Sequence, residues 1–230
     1  MPSEPHDVAE AVAELVAADA GNRLPLLVRH CVRFTGASAA VAAAADPEGR
    51  LRPGAATHQA AHQLMSLELA RGAGPVVECF RRRRVVPAVP LTTQGPWPML
   101  AAAADRAGFV AVEALPFRGS RRPVGVLGLY ARTTTPLTPS DRRIAQAFAD
   151  IAGISIDRTR TIVRHRVEAQ RLQHALDSRV MIEQAKGILA ERHGVTTGEA
   201  FHRLRRWSRD HNQRIHDVAA AVIANDCPPP

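Results

Sequence analysis

The chain has 230 residues, of which 46% are hydrophobic but only 4% aromatic, and it carries a formal net charge of +8. This length fits one large or two small domains, with cores that must rely on Ala, Val, Leu and Ile. No run of about 18 apolar residues occurs, which excludes a membrane-spanning helix, and the positive charge points to an anionic partner, nucleic acid first.

In chain order, residues 1–7 are expected to fray, and residues 8–18 show a helical pattern with Val8, Val12, Leu15 and Val16 on one side. A second helix is predicted over residues 24–35, stopped by Gly36. Residues 39–45 form an apolar run followed by the turn Asp46-Pro-Glu-Gly49, which reads as a strand entering a hairpin. A helix over residues 60–70 ends at Gly72-Ala-Gly-Pro75, and a short helix covers residues 76–82. Residues 85–89 are β-branched and read as a strand. Pro96-Trp97-Pro98 opens a helix that closes at Gly108, and residues 110–117 and 124–130 read as two strands. Strands and helices in this order suggest an α+β domain built on an antiparallel sheet flanked by helices.

Thr138-Pro139-Ser140-Asp141 is a helix start. From there to about His193 the pattern stays helical, although Gly153 weakens it. Ile144, Phe148, Ile151, Ser155, Arg158, Ile162, His165, Ala169, Leu172 and Leu176 alternate by four and three. This seam suggests a connecting helix that pairs with a partner helix, most simply in a homodimer. Two further helices follow. Thr196-Thr-Gly-Glu199 has the spacing of a capping box. The helix after it places Ala200, Phe201, Leu204 and Trp207 on one face, with His202, Arg205, Arg206 and Arg209 opposite. The last helix carries Ile215, Val218, Ala219, Val222 and Ile223 on one face. These short helices must fold back on Ile182, Ala185 and Leu189 to bury their apolar faces. Asn225 and Asp226 end the last helix, and residues 227–230 form a tail expected to be disordered.

Such a three-helix unit offers a surface rather than a deep pocket, so no catalysis is expected there. Arg179, Glu183 and Lys186 share a stripe of its first helix, and Lys186 is the only lysine in the chain. The second helix adds Arg205, Arg206 and Arg209, and the connection to the third adds Asn212 and Arg214. Cations suit phosphates, Gln184 and Asn212 suit base edges, and arginine planes stack on unpaired bases. A solvated charged face would show the same pattern.

Residues 167–226 resemble the ANTAR domain, the RNA-binding module of transcription antitermination regulators. The matching text is Arg179-Val-Met-Ile-Glu-Gln-Ala-Lys-Gly-Ile-Leu189, Thr197-Gly-Glu-Ala-Phe201, Leu204-Arg205 and Asn212-Gln-Arg-Ile-His-Asp-Val-Ala219, with Ala190 where the family often has methionine. The resemblance implies a protein that captures short hairpins in nascent RNA, as a dimer with one hairpin per module, and so prevents an overlapping terminator from forming. The family's basic and polar positions fall on Arg179, Lys186, Arg205 and Arg206. Position on the same surfaces adds Gln184, Arg209 and Asn212.

Residues 8–160 resemble a GAF domain. The carrying text is Glu68-Leu-Ala-Arg-Gly-Ala-Gly-Pro75, the helix from Trp97 to Gly108, Ala114-Leu-Pro-Phe117 and Val124-Gly-Val-Leu-Gly-Leu-Tyr130. Many relatives carry an aspartate after the short helix, where this chain reads Val85-Val-Pro-Ala-Val-Pro-Leu-Thr92. The resemblance implies a sensor or dimer scaffold over residues 8–160, ahead of an RNA-binding module over residues 161–226 with the long helix shared across the boundary. A small molecule could bind between the sheet and the helices around Trp97, although that side chain suits the core.

His58 and His62 have the i, i+4 spacing of a zinc pair but lack a third ligand, so no metal is expected. Nor is a cofactor. Arg81-Arg-Arg-Arg84 reads as a solvated turn with a lesser prospect of touching RNA. Cys31 falls on an apolar helix face and should be buried. The three cysteines, Cys31, Cys79 and Cys227, form no CxxC, and the acidic N-terminal stretch lacks a secretory pattern, so a reducing, cytoplasmic setting is expected. A DNA-binding regulator using the short connection from Asp210 to Arg214 as a helix-turn-helix is the alternative. The small Ala220, Ala221 and Ala224 give the last helix little with which to read bases.

Overall fold

The structure, a computed structural model, describes residues 5–119, 122–133 and 137–225. Asp226 and the tail over residues 227–230, Cys227 included, lie outside the described residues. The chain divides into two compact units, Met1–Thr161 and Ile162–Pro230.

The first unit is a three-layer α+β domain. Its elements are α1 (Pro5–Ala17), α2 (Arg23–Phe34), β1 (Ala39–Ala45), β2 (Leu51–Ala56), α3 (Gln59–Arg71), α4 (Pro75–Arg82), β3 (Val86–Pro90), α5 (Pro98–Arg106), β4 (Ala111–Phe117) and β5 (Gly125–Ala131), followed by the start of α6 (Pro139–His193). Pro5 to Asp7, expected to fray, begin α1. The five strands form one antiparallel sheet in the order β2-β1-β5-β4-β3.

Both faces of the central strands β1, β5 and β4 are covered, which is why these strands read as near-continuous apolar runs. Successive side chains along a strand point to opposite faces. Ala40, Ala42, Leu115, Phe117, Leu127 and Leu129 thus meet Leu15, Leu27, Phe34 and Phe148 from α1, α2 and α6. On the other face Val41, Ala43, Val112, Ala114, Val126 and Tyr130 meet Leu64, Met65, Val76 and Leu100 from α3, α4 and α5. Small alanines in β1 let the helical layers approach closely. Cys31 and Cys79 are buried in these cores, and burial pushes the Cys79 thiol up to about 12.

Phe148 is buried, and Ile144 and Ile151 pack on the same core. The first part of the four-and-three seam is therefore spent inside its own domain and is not free to meet a partner helix. Gly153 has a reason to be small, since a Cβ there would collide with the Arg118 carbonyl. Arg142 of α6 also pairs with Glu113, a buried residue of β4 whose side chain points to this layer.

The second unit comprises the rest of α6, then α7 (Thr197–Asp210) and α8 (Ile215–Ala224). Its core is Ala185, Leu189, Ala200, Leu204, Val218, Ala219 and Val222, with Ile182, Trp207 and Ile215 partly buried against it. The short helices do fold back on the end of α6. Among the described residues, no helix is long and apolar enough to cross a membrane.

Candidate functional site

The surface of the second unit is set by how its helices stop and start. The Val195 N–H donates to the Ala190 carbonyl and closes α6. The Thr196 hydroxyl then accepts the Glu199 N–H at 3.2 Å, the capping half of the expected box. At the far end of α7, Asn212 takes a left-handed conformation (φ 49°). Its N–H donates to the Arg209 carbonyl and the Gln213 N–H to that of Ser208, the paired bonds of a Schellman cap. Asn212 therefore has a backbone role that the sequence reading did not assign, while its side chain stays exposed. The Arg192 guanidinium donates to Asn225 Oδ1 at 3.0 Å and ties the end of α6 to the end of α8.

Arg179, Gln184, Arg205, Arg206, Arg209 and Asn212 are all exposed. Lys186 is held differently, with its side chain only 17% exposed. Its ammonium donates to both oxygens of Glu183, at 2.8 and 3.0 Å, and lies 5.6 Å from the centre of the Phe201 ring. Phe201 was expected on the apolar face of α7. Ala200 and Leu204 are buried there, but Phe201 is half-buried, one step around the helix, and meets Lys186. The structure thus brings Lys186 onto Phe201, and helical spacing puts Arg205 one turn further along the same flank. Arg206 and Arg209 lie further around α7. Sequence reasoning missed Phe201, although its one-turn spacing from Arg205 was the available signal.

Beyond that flank, the Trp207 and His211 rings stack at 3.8 Å and 20°, and the Trp207 carbonyl lies 3.0 Å from His211 Nδ1. Trp207 is thereby committed to the C-terminal end of α7.

In the first unit, two residues flagged as signals have local roles. His58 Nδ1 accepts the Ala60 N–H at 3.2 Å and caps α3, with its ring edge-on to Phe109. Trp97 is half-buried just before α5 and lines an open cleft of about 210 Å³ with Arg81 and Arg82. All four arginines from Arg81 to Arg84 are exposed. Glu68 of α3 is buried; Oε2 accepts the Val76 N–H at 2.7 Å, and Oε1 accepts the Tyr130 hydroxyl at 2.9 Å. Burial pushes its pKa up to about 7, against the pull of these donors. Glu68 opens and Tyr130 closes two of the stretches that carry the GAF resemblance, but their pairing across 62 positions was not legible in the sequence.

A GAF domain family model matches residues 17–157, and an ANTAR domain family model matches residues 170–223. The transcriptional regulatory protein PdtaR of Mycobacterium tuberculosis is 31% identical over 70 residues, which are 30% of this chain and 34% of PdtaR. The chain thus spans about a third of the length of the curated relatives it matches. Among solved structures, a domain of a two-component sensor histidine kinase protein from Sinorhizobium meliloti is 15% identical with a TM-score of 0.52, over 65% of this chain and 99% of that one. A methyl-accepting chemotaxis protein is 19% identical with a TM-score of 0.52, over 66% of this chain and 98% of that one. At these identities the two structures establish the fold of the first unit.

Proposed function

Because the chain belongs to the GAF family and carries an ANTAR domain after it, we propose that it is a transcription antitermination regulator that captures hairpins in nascent RNA under the control of a GAF sensor. The observation that carries this reading is the contact of Lys186 with Phe201, with the exposed Arg205 one helical turn further along α7. Cations beside a half-exposed aromatic ring suit unpaired loop RNA, whose bases contact the ring while their phosphates meet ammonium and guanidinium groups. Duplex DNA would instead call for a helix that reads base edges in the major groove.

The contact set is Arg179, Gln184, Lys186, Arg205, Arg206, Arg209 and Asn212, extended here to Phe201. Arginines and Lys186 meet phosphates, and Gln184 and Asn212 reach base edges. Capture acts as a population shift: an RNA segment shared by two folds is held in one of them, and the competing terminator does not form. Two copies of the chain, joined along the exposed part of α6, present two modules to tandem hairpins. The reaction is binding alone, with no catalytic step, in a soluble cytoplasmic setting.

The test is a titration of the full chain with tandem hairpins from transcript leaders and with scrambled RNA of equal length. Hairpins should bind tightly and with steep salt dependence, since cation-phosphate contacts release counterions. Lys186→Ala combined with Arg205→Ala should weaken binding at least tenfold, and Phe201→Ala should weaken hairpins more than scrambled RNA. Equal weak affinity for every RNA, or no loss in the double variant, would overturn the reading.

A further inference from the structure

We infer that the cleft between the outward side of α4 and Trp97 is a binding site for a small planar aromatic anion. The inference rests on reading the first unit as a sensor, and it supplies the chemical class of what is sensed. The cleft holds about 210 Å³. Sites for drug-sized ligands span roughly 300–1,000 Å³, so its occupant is smaller than those.

Charge decides the sign of the ligand. Arg81 and Arg82 line the cleft at the start of a run of four exposed arginines. Glu78 is the single carboxylate in the lining, and it is committed to Arg82 at 2.9 Å. Arg81 pairs with no carboxylate among the described residues. A guanidinium without a partner, at the wall of a concave site, presents a planar fork to an arriving anion.

Shape decides the rest. Trp97 packs partly on the core and also lines the cleft. Among the described residues, the cations placed over aromatic rings are Arg33, Arg132 and Lys186, so neither Arg81 nor Arg82 covers the indole. In the proposed complex a flat ring lies on Trp97, whose indole no cation among the described residues occupies, while its anionic group reaches Arg81. The floor is rigid. Val77 is buried, and Gly74 (φ 142°) lies against the Glu68 side chain so closely that any Cβ would collide with it. Glu68 in turn holds the first turn of α4 through the Val76 N–H. A packed floor of this kind lowers the ordering cost of binding.

The experiment uses the full chain with Trp207→Phe, which leaves Trp97 as the single tryptophan. Phenyl phosphate is titrated against its fluorescence, with phenol and inorganic phosphate as probes of the ring alone and the anion alone. Phenyl phosphate should quench Trp97 saturably, both partial probes should bind at least tenfold more weakly, and Arg81→Ala should weaken phenyl phosphate at least tenfold with Arg81→Lys restoring part of it. Arg81 is exposed, so the variants should keep the parent's thermal midpoint, which is measured alongside. No saturable quenching, equal binding by inorganic phosphate, or an unaffected Arg81→Ala would overturn the site. Hairpin affinity measured with and without phenyl phosphate separates the two readings. Saturable binding that leaves RNA capture unchanged supports the site and removes its role as sensor. Absent binding with intact RNA capture removes the site alone.

Discussion

Glu68 shows what a single buried carboxylate does to the chain's response to pH. Desolvation raises its pKa to about 7, while the Val76 and Val77 N–H groups and the Tyr130 hydroxyl pull the other way. The folded chain thus holds this proton where the unfolded chain has lost it. Between the ordinary carboxylate value and about pH 7, stability falls as pH rises. His30 acts in the opposite sense. Burial, its largest influence, lowers its pKa below 6.5, so its contribution grows as pH rises toward that value. Comparing the parent with Glu68→Gln isolates Glu68, since Gln keeps an acceptor for the Val76 N–H. Thermal midpoints measured from about pH 5 to about pH 7.5 should fall for the parent relative to the variant; parallel curves would refute the account. Lys186 offers a second case. Its solitary status was visible in the sequence, but its contact with Phe201 was not, because that contact joins two helices across a turn. Glu183 neutralises it at 2.8 Å. Glu183 is itself 58% exposed, and ion pairs open to solvent on one side contribute little, so Glu183→Gln should change stability by no more than about 1 kcal/mol. At low salt it should strengthen hairpin binding by roughly two- to fivefold, as an uncompensated cation meets phosphate. An unchanged or weakened affinity in the same titration would place Lys186 outside the RNA contact.

At the scale of elements, the sequence was legible where local chemistry decides. The Thr196 cap, the turn at Asp46 and the strand over Ala39–Ala45 all follow from residues close in the chain, and the structure has each of them. Removing the cap with Thr196→Ala should lower the stability of the second unit by about 1 kcal/mol in a denaturant titration. Legibility failed where distant residues decide. Phe148 fits a seam by spacing, but the Leu15 and Phe34 layer claims it. Glu113 sits in an apolar strand because Arg142, 29 positions on, is there to meet it. Gly187 marks the reverse situation. A Cβ placed on it meets nothing within 4 Å, so no neighbour in the chain requires a glycine. Glycine inside a helix is less stable than alanine by about 0.5–1 kcal/mol. Gly187→Ala should therefore stabilise the free chain by about that amount. If it also weakens hairpin capture, the approach of RNA to α6 accounts for the glycine.

The whole molecule shows an apolar strip that a single chain leaves in water. Along the part of α6 that belongs to the second unit, Ile162, Leu172, Leu176 and Val180 are 58%, 63%, 58% and 56% exposed. With His165 and Ala169 between them, Ile162, Leu172 and Leu176 keep the four-and-three spacing of a two-stranded coiled-coil seam, and Val180 follows one turn on. Contiguous exposed apolar strips of this kind mark interaction surfaces. A second copy is the simplest occupant, because an identical strip offers a self-complementary partner under two-fold symmetry. Leu172→Glu with Leu176→Glu places like charges in that seam without touching either core. The double variant should be monomeric by light scattering, with an unchanged circular dichroism spectrum. It should keep its affinity for one isolated hairpin. It should lose the added affinity for two hairpins in tandem, on the order of ten- to a hundredfold, because avidity depends on both modules engaging together. A parent chain that is monomeric at micromolar concentration, or a double variant that still binds tandem hairpins as tightly as the parent, would rule out the paired arrangement and leave each module acting alone.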